Sequence, residues 1–255
     1  MKKFIIIAAL VVVSVAAQAG ESTPGAPTPS PSTMRPYGWT GVYGGLNGGF
    51  AIGTDSAYDL LAATGGVLGP PSSAFPGSFP AMGALLGGEI GANYQVGDIV
   101  LGAEADIDWS NAQGSYVDDP AAGPGASTVT GTAEWLATLR ARVGYARDRW
   151  LLFATGGLAA SGVKVGISNY TGAPSPYLAD RQTLSGWTIG GGAEYALTDH
   201  WTIKGEYLYV DLNDRTFAFR DPSNLCGCAA PGGVVAEAKG KADMNLMRIA
   251  IGYKF

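Results

Sequence analysis

The stretch from Asn245 to Phe255, Asn-Leu-Met-Arg-Ile-Ala-Ile-Gly-Tyr-Lys-Phe, narrows the choice of fold more than any other. Side chains alternate faces along a strand, so Met247, Ile249, Ile251, Tyr253 and Phe255 share one face and Arg248, Ala250, Gly252 and Lys254 the other. An apolar face that finishes in aromatics, with no polar tail behind it, is unusual for a soluble protein. It suits the closing strand of a barrel in lipid, whose backbone pairs with the first strand and whose rim aromatics sit at headgroup depth.

Composition agrees with sheet rather than helix. The chain of 255 residues carries 39 glycines and only 15% charged residues, and each glycine inside a helix would cost about 1 kcal/mol relative to alanine. A net charge of -5 argues against a nucleic-acid partner, which would call for a basic face. Residues 1–19 have the form of a secretory signal: Lys2 and Lys3, an apolar run from Phe4 to Val15, and Ala17-Gln18-Ala19 as the cleavage pattern, with cleavage expected after Ala19. That run is shorter than the roughly 18 apolar residues of a spanning helix, and no other stretch qualifies. Residues 20–38, rich in proline, serine and threonine, read as an extended linker, and the barrel is expected over 39–255.

Seven further segments alternate in the same way: Trp39–Ile52, Gly83–Val96, Ile99–Ser110, Thr132–Ala146, Trp150–Val165, Leu184–Leu197 and Trp201–Val210. The fifth is apolar on both faces, so its register, and with it the facing of Trp150, stays open. Tight connections at Val96-Gly97-Asp98, Arg147-Asp148-Arg149 and Thr198-Asp199-His200 alternate with four long ones, Gly53–Ala81, Asn111–Gly131, Gly166–Thr183 and Asp211–Lys241. Short periplasmic turns and long extracellular loops are the asymmetry of outer-membrane barrels. The expectation is an all-β, eight-stranded antiparallel up-and-down transmembrane β-barrel with four long extracellular loops.

Alternation alone does not separate this from a soluble ligand carrier, whose apolar face would point inward. The aromatics do. Trp39, Tyr94, Tyr145, Tyr195, Trp201, Tyr253 and Phe255 fall beside the short turns, and Trp109, Trp135 and Trp187 at the opposite strand ends, two belts matching two membrane interfaces. The other face carries Glu89, Glu104, Asp106, Asp108, Arg140, Arg142, Glu194, Lys204, Glu206 and Arg248. Turned outward, Arg140 and Arg142 would each cost about 2–4 kcal/mol near the midplane; turned inward they can meet carboxylates. Glu89, Glu104, Asp106, Arg140, Glu206 and Arg248 fall at similar heights, so an ion-paired interior plug is expected.

The strings Gly38-Trp39-Thr40-Gly41-Val42-Tyr43-Gly44-Gly45, Ala154-Thr155-Gly156-Gly157-Leu158-Ala159, Gly186-Trp187-Thr188-Ile189-Gly190-Gly191-Gly192, Glu206-Tyr207-Leu208-Tyr209-Val210-Asp211 and Tyr253-Lys254-Phe255 resemble the small outer-membrane β-barrel, porin-like family of alphaproteobacteria. That family includes major surface antigens and is similar in barrel to the transmembrane domain of OmpA. The resemblance implies an outer-membrane location, lipid as the surrounding partner, and assembly by the barrel-assembly machinery through the strand ending in Phe255. It supplies no catalytic residues.

No enzyme, cofactor or metal is expected. His200, the single histidine, lies in a short turn with no serine close by in sequence. The glycine clusters Gly44-Gly45 and Gly190-Gly191-Gly192 have no following helix and read as room for close packing. Cys226 and Cys228, one residue apart in the last long loop, read as a strained disulfide that stiffens it. The expected role is envelope structure and surface exposure. The alternatives are a narrow porin-like channel, or a receptor or adhesin working through loops Gly53–Ala81 and Asp211–Lys241.

Overall fold

A computed structural model describes residues 37–62, 77–117, 128–168, 178–220 and 234–255. The expected signal, most of the linker, and Cys226 and Cys228 lie outside the described residues. Eight antiparallel strands, β1 (Gly41–Ala62), β2 (Gly77–Val96), β3 (Ile99–Val117), β4 (Thr128–Arg147), β5 (Trp150–Ser168), β6 (Leu178–Ala196), β7 (Trp201–Arg220) and β8 (Val234–Lys254), follow one another round a closed ring. The seam is made by β1 and β8, paired from Tyr43 opposite Lys254 to Ala62 opposite Ala236, and Phe255 N–H donates to Val42 O at 3.0 Å.

Following one row of cross-strand partners gives the stagger. From Tyr43 the row runs through Gly91, Glu104, Arg140, Gly157, Thr188, Val210 and Met244 and returns to β1 at Gly53, ten residues from where it began. Such a stagger in eight strands goes with a tilt toward the upper end of the usual range of about 35–45°. The interior that results is only wide enough to be filled by side chains.

Two short connections use left-handed backbone, at Gly97 (φ 60°) and Asp148 (φ 54°), the first by glycine and the second by a residue type that tolerates this region. At the other end the strands outrun the sequence expectation. They are 19 to 22 residues long, against about 9–11 needed to cross the hydrocarbon. The expected loops therefore shrink to 63–76, 118–127, 169–177 and 221–233, all outside the described residues. Beyond the lipid both faces of a strand meet water or one another, so the alternation that marks a strand in sequence fades while the backbone ladder continues.

The register of β5 is now determined: Leu151, Phe153, Thr155, Ala159 and Val163 point inward, and Trp150, Leu152, Ala154 and Leu158 outward. The outward face of the whole barrel is apolar between its belts, with Leu46, Leu86, Ile90, Ile107, Leu139, Leu158, Ile189 and Ile249 all exposed. Close strand approach depends on glycine. A Cβ at Gly157 would stand 2.1 Å from Leu139 O, and one at Gly190 2.0 Å from Tyr207 O, so any side chain there would push two strands apart.

Candidate functional site

The inward face divides into three tiers. At the periplasmic mouth Tyr37 and Trp39 turn into the barrel, edge to face at 4.7 Å, and pack with Val100, Ala146, Leu151, Phe153 and Ala196. This corrects the sequence expectation for Trp39, which is only 2% exposed and belongs to a stopper rather than to the lipid belt. Its position before β1 explains the difference, because strand alternation does not govern a residue outside the ladder. The linker accordingly ends at residue 36, with Tyr37 N–H donating to Asp148 O and Trp39 N–H to Gln95 Oε1 at 2.8 Å. Burial pushes the Tyr37 phenol up to about 12, with Glu194 and Asp199 adding to the shift and Arg149 opposing it, so the stopper stays uncharged.

Above it lies the ionic tier. Arg140 on β4 binds Glu104 and Asp106 on β3 and reaches Glu206 on β7 at 2.8 Å. Lys204 on β7 meets Glu89 on β2 and Glu104 on β3, both at 2.8 Å. From β8, Arg248 contacts Asp106, Asp108 and Glu206. Arg142 links Glu104 to Glu194 and lies over the Tyr43 and Phe153 rings. Tyr43 donates to Glu104 Oε2 at 2.6 Å, and Thr138 to Asp106 Oδ2 at 2.6 Å. The structure thus brings all ten predicted interior charges into one buried network.

Several of these contacts cross the lumen rather than run along one wall. Three strands separate β4 from β7, and β3 and β7 face each other across the ring. Glu89, Glu104 and Glu206 bring carboxylate oxygens within 4.8 Å of one another, the kind of grouping that can hold a cation, and the Lys204 ammonium already sits among them. Gly91 is needed for this arrangement, since a Cβ there would fall 2.3 Å from the Tyr43 hydroxyl.

The third tier was not anticipated. Leu85, Leu136, Leu184, Leu208, Val210, Leu212, Phe217, Phe219, Met244 and Leu246 point inward and fill the extracellular half. The signal was present in Leu208, Val210 and Leu212, which alternate with Tyr207 and Tyr209, but a run that is apolar on both faces does not declare which one is buried. Phe217 and Phe219 also follow a register shift between Leu212 and Arg215, which strict alternation misses.

The remaining predicted aromatics lie outside. Tyr94, Tyr145, Trp150, Tyr195, Trp201, Tyr253 and Phe255 ring the turn end, several in contact, as in Trp150–Tyr195 at 4.7 Å and Trp201–Tyr253 at 5.1 Å. Trp109, Trp135 and Trp187 ring the other end. Among the described residues His200 has a structural role: its ring stacks on Tyr253 at 5.4 Å and its Nδ1 lies 2.9 Å from Lys254 O, tying the last short turn to the seam.

Lys204 offers the sharpest test of the ionic tier. Replacing one member of a buried ion cluster leaves its partners charged and unpaired, at about 3–5 kcal/mol. Lys204→Met should lower the stability of the folded barrel by that order in a urea titration in lipid vesicles. A change under about 0.5 kcal/mol, the level of an ordinary surface substitution, would show that the carboxylates do not depend on this ammonium.

Comparison with known proteins places this architecture. The outer membrane protein beta-barrel domain family matches over residues 5–255. The chain is 34% identical to the 31 kDa outer-membrane immunogenic protein of Brucella melitensis, over 95% of this chain and 93% of that one. It is 31% identical to the 22 kDa outer membrane protein of Rhizobium leguminosarum over 67% of this chain and 66% of that one. Among solved structures it is similar in fold to OprG of Pseudomonas aeruginosa, with a TM-score of 0.53 and 19% identity over 85% of this chain and 96% of that one. The chain belongs to the outer membrane protein beta-barrel domain family and resides in the outer membrane, its apolar belt facing lipid.

Proposed function

We propose that the protein is a closed, non-enzymatic barrel that serves envelope structure and displays its loops at the cell surface. The observation that supports this most is the filling of the lumen in series by the Tyr37–Trp39 stopper, the ionic tier and the apolar upper tier. A solute passing through would have to displace all three. The named relatives described as immunogenic fit a role in which the outer loops are the part presented to other molecules. A histidine held by a backbone carbonyl and an aromatic ring, with no nucleophile beside it, supports the non-enzymatic reading.

Conductance measures this directly. Purified folded barrel in planar bilayers should give no current steps above background at moderate voltage. Resolved steps from protein that shows heat-modifiable migration on gels would favour the porin-like alternative. The ionic tier holds six carboxylates against four cations, so such steps would be cation-selective.

Assembly by the barrel-assembly machinery through β8 is part of the same proposal. It is supported by the exposed aromatic face at Tyr253 and Phe255 and by the role of β8 as the seam. Removing Phe255 should reduce the outer-membrane fraction of the protein severalfold and leave unfolded chain in the periplasm. Unchanged insertion would remove this strand end from the assembly signal.

A further inference from the structure

The outer wall has one concave site that neither the fold nor the proposed function requires. It is a groove of about 500 Å³ at the upper aromatic belt, lined by Trp109, Ser110, Asn111, Gln113, Thr132, Glu134 and Trp135. Both strands that form it lose regular register there. Trp109 pairs with Trp135, but the next partners are Ala112 and Ala133, and β4 shifts again against β5 between Ala133 and Trp135. The extra residues, Ser110 and Asn111 on one strand and Glu134 on the other, bend the sheet and open its outer face.

The two tryptophans are direct cross-strand partners, yet their rings do not touch. Other outward aromatic partners do stack, as Trp150 does on Tyr195. The cause is Gly162, which lies opposite Trp135 on β5: a Cβ there would fall 2.1 Å from Trp135 Nε1, so the indole lies back over bare backbone and away from Trp109. Trp109 is left 60% exposed as the other wall. Gln113 and Thr132 line the groove with an amide and a hydroxyl.

Charge borders the same site. Lys164 is the cross-strand partner of Thr132 and of Arg181, and Arg181 reaches Glu134 at 3.0 Å. Two cations stand against one carboxylate. Like charges on cross-strand partners repel, so an anion beside them is favoured. Flat aromatic walls suit the C–H faces of a sugar ring, amide and hydroxyl groups suit its hydroxyls, and the cation pair suits a phosphate. The tryptophan belt also fixes the depth, since these rings mark the headgroup level of the outer leaflet.

We propose that this groove binds the phosphorylated sugar headgroup of an outer-leaflet glycolipid, with the ring between Trp109 and Trp135 and the phosphate toward Lys164 and Arg181. The lipid source is preferred over a free saccharide because the groove opens sideways into the membrane interface, where a headgroup arrives with its acyl chains along the apolar wall below.

The test uses the full folded barrel in detergent micelles, with native mass spectrometry reading bound lipid. Bisphosphorylated lipid A is the probe; its monophosphorylated form, the deacylated bisphosphorylated disaccharide and phosphatidylglycerol are the comparators. Lipid A should be retained, loss of one phosphate should weaken it, and Trp109→Ala and Gly162→Ala should each weaken it by about ten-fold, or 1.4 kcal/mol. Heat-modifiable migration should stay unchanged, which separates lost binding from lost folding. Retention of phosphatidylglycerol as tight as lipid A would reduce the site to general attraction of anionic lipid and overturn the proposal. Equally tight binding of the deacylated disaccharide would overturn the lipid source, and variants that bind like the parent would show that the groove is not the site.

Discussion

Charge on strands that cross hydrocarbon is the constraint on which the rest of this structure depends. A lipid-facing arginine near the midplane costs about 2–4 kcal/mol, so every ionised group on a spanning segment must face the axis. Eight strands with a stagger of ten leave little room there. The charges therefore have to satisfy one another, and they do so across the ring. Arg140 joins β3 to β7, Lys204 joins β7 to β2 and β3, and Arg248 joins β8 to β3. Buried pairs of this kind are weak evidence for net stabilisation, because desolvation offsets much of the attraction. Their geometric effect is clearer: they specify which walls stand opposite and at what height.

The apolar tiers on either side complete the arrangement. Below, the Tyr37–Trp39 stopper keeps water from the periplasmic mouth. Above, the Leu208–Phe219 region of β7 and its neighbours exclude it from the other end. The ionic tier is thus held between two dry layers, where electrostatic contacts are screened less than at a surface. Small residues let the layers close, as at Gly91, which makes way for the Tyr43 hydroxyl, and at Gly157, where β4 and β5 come together. The outer wall follows the opposite logic, with an apolar band between two aromatic rings and a departure from regularity only where the sheet bulges at Glu134.

Most of the fold could be read from period-two alternation and from the contrast between short and long connections, because lipid on one side and charge on the other leave a sharp imprint on strands such as β3 and β8. The ionic cluster was readable for the same reason. What sequence could not supply was anything beyond the reach of that contrast. β5 and the upper half of β7 are apolar on both faces, so their inward residues stayed hidden. Trp39 precedes the ladder and turns inward, where alternation would have placed it outward. Glu134 reads by strict alternation as an inward residue beside Arg140, but a bulge releases it to pair with Arg181 on the outer wall.

Coupling between Arg140 and Glu206 across the lumen tests the central claim most directly. In a double-mutant cycle with Arg140→Leu and Glu206→Gln, followed by reversible unfolding in lipid vesicles, the account predicts a coupling energy of about 1–3 kcal/mol. Additive effects, within about 0.5 kcal/mol, would mean that the two walls do not hold one another through this contact, and would contradict it.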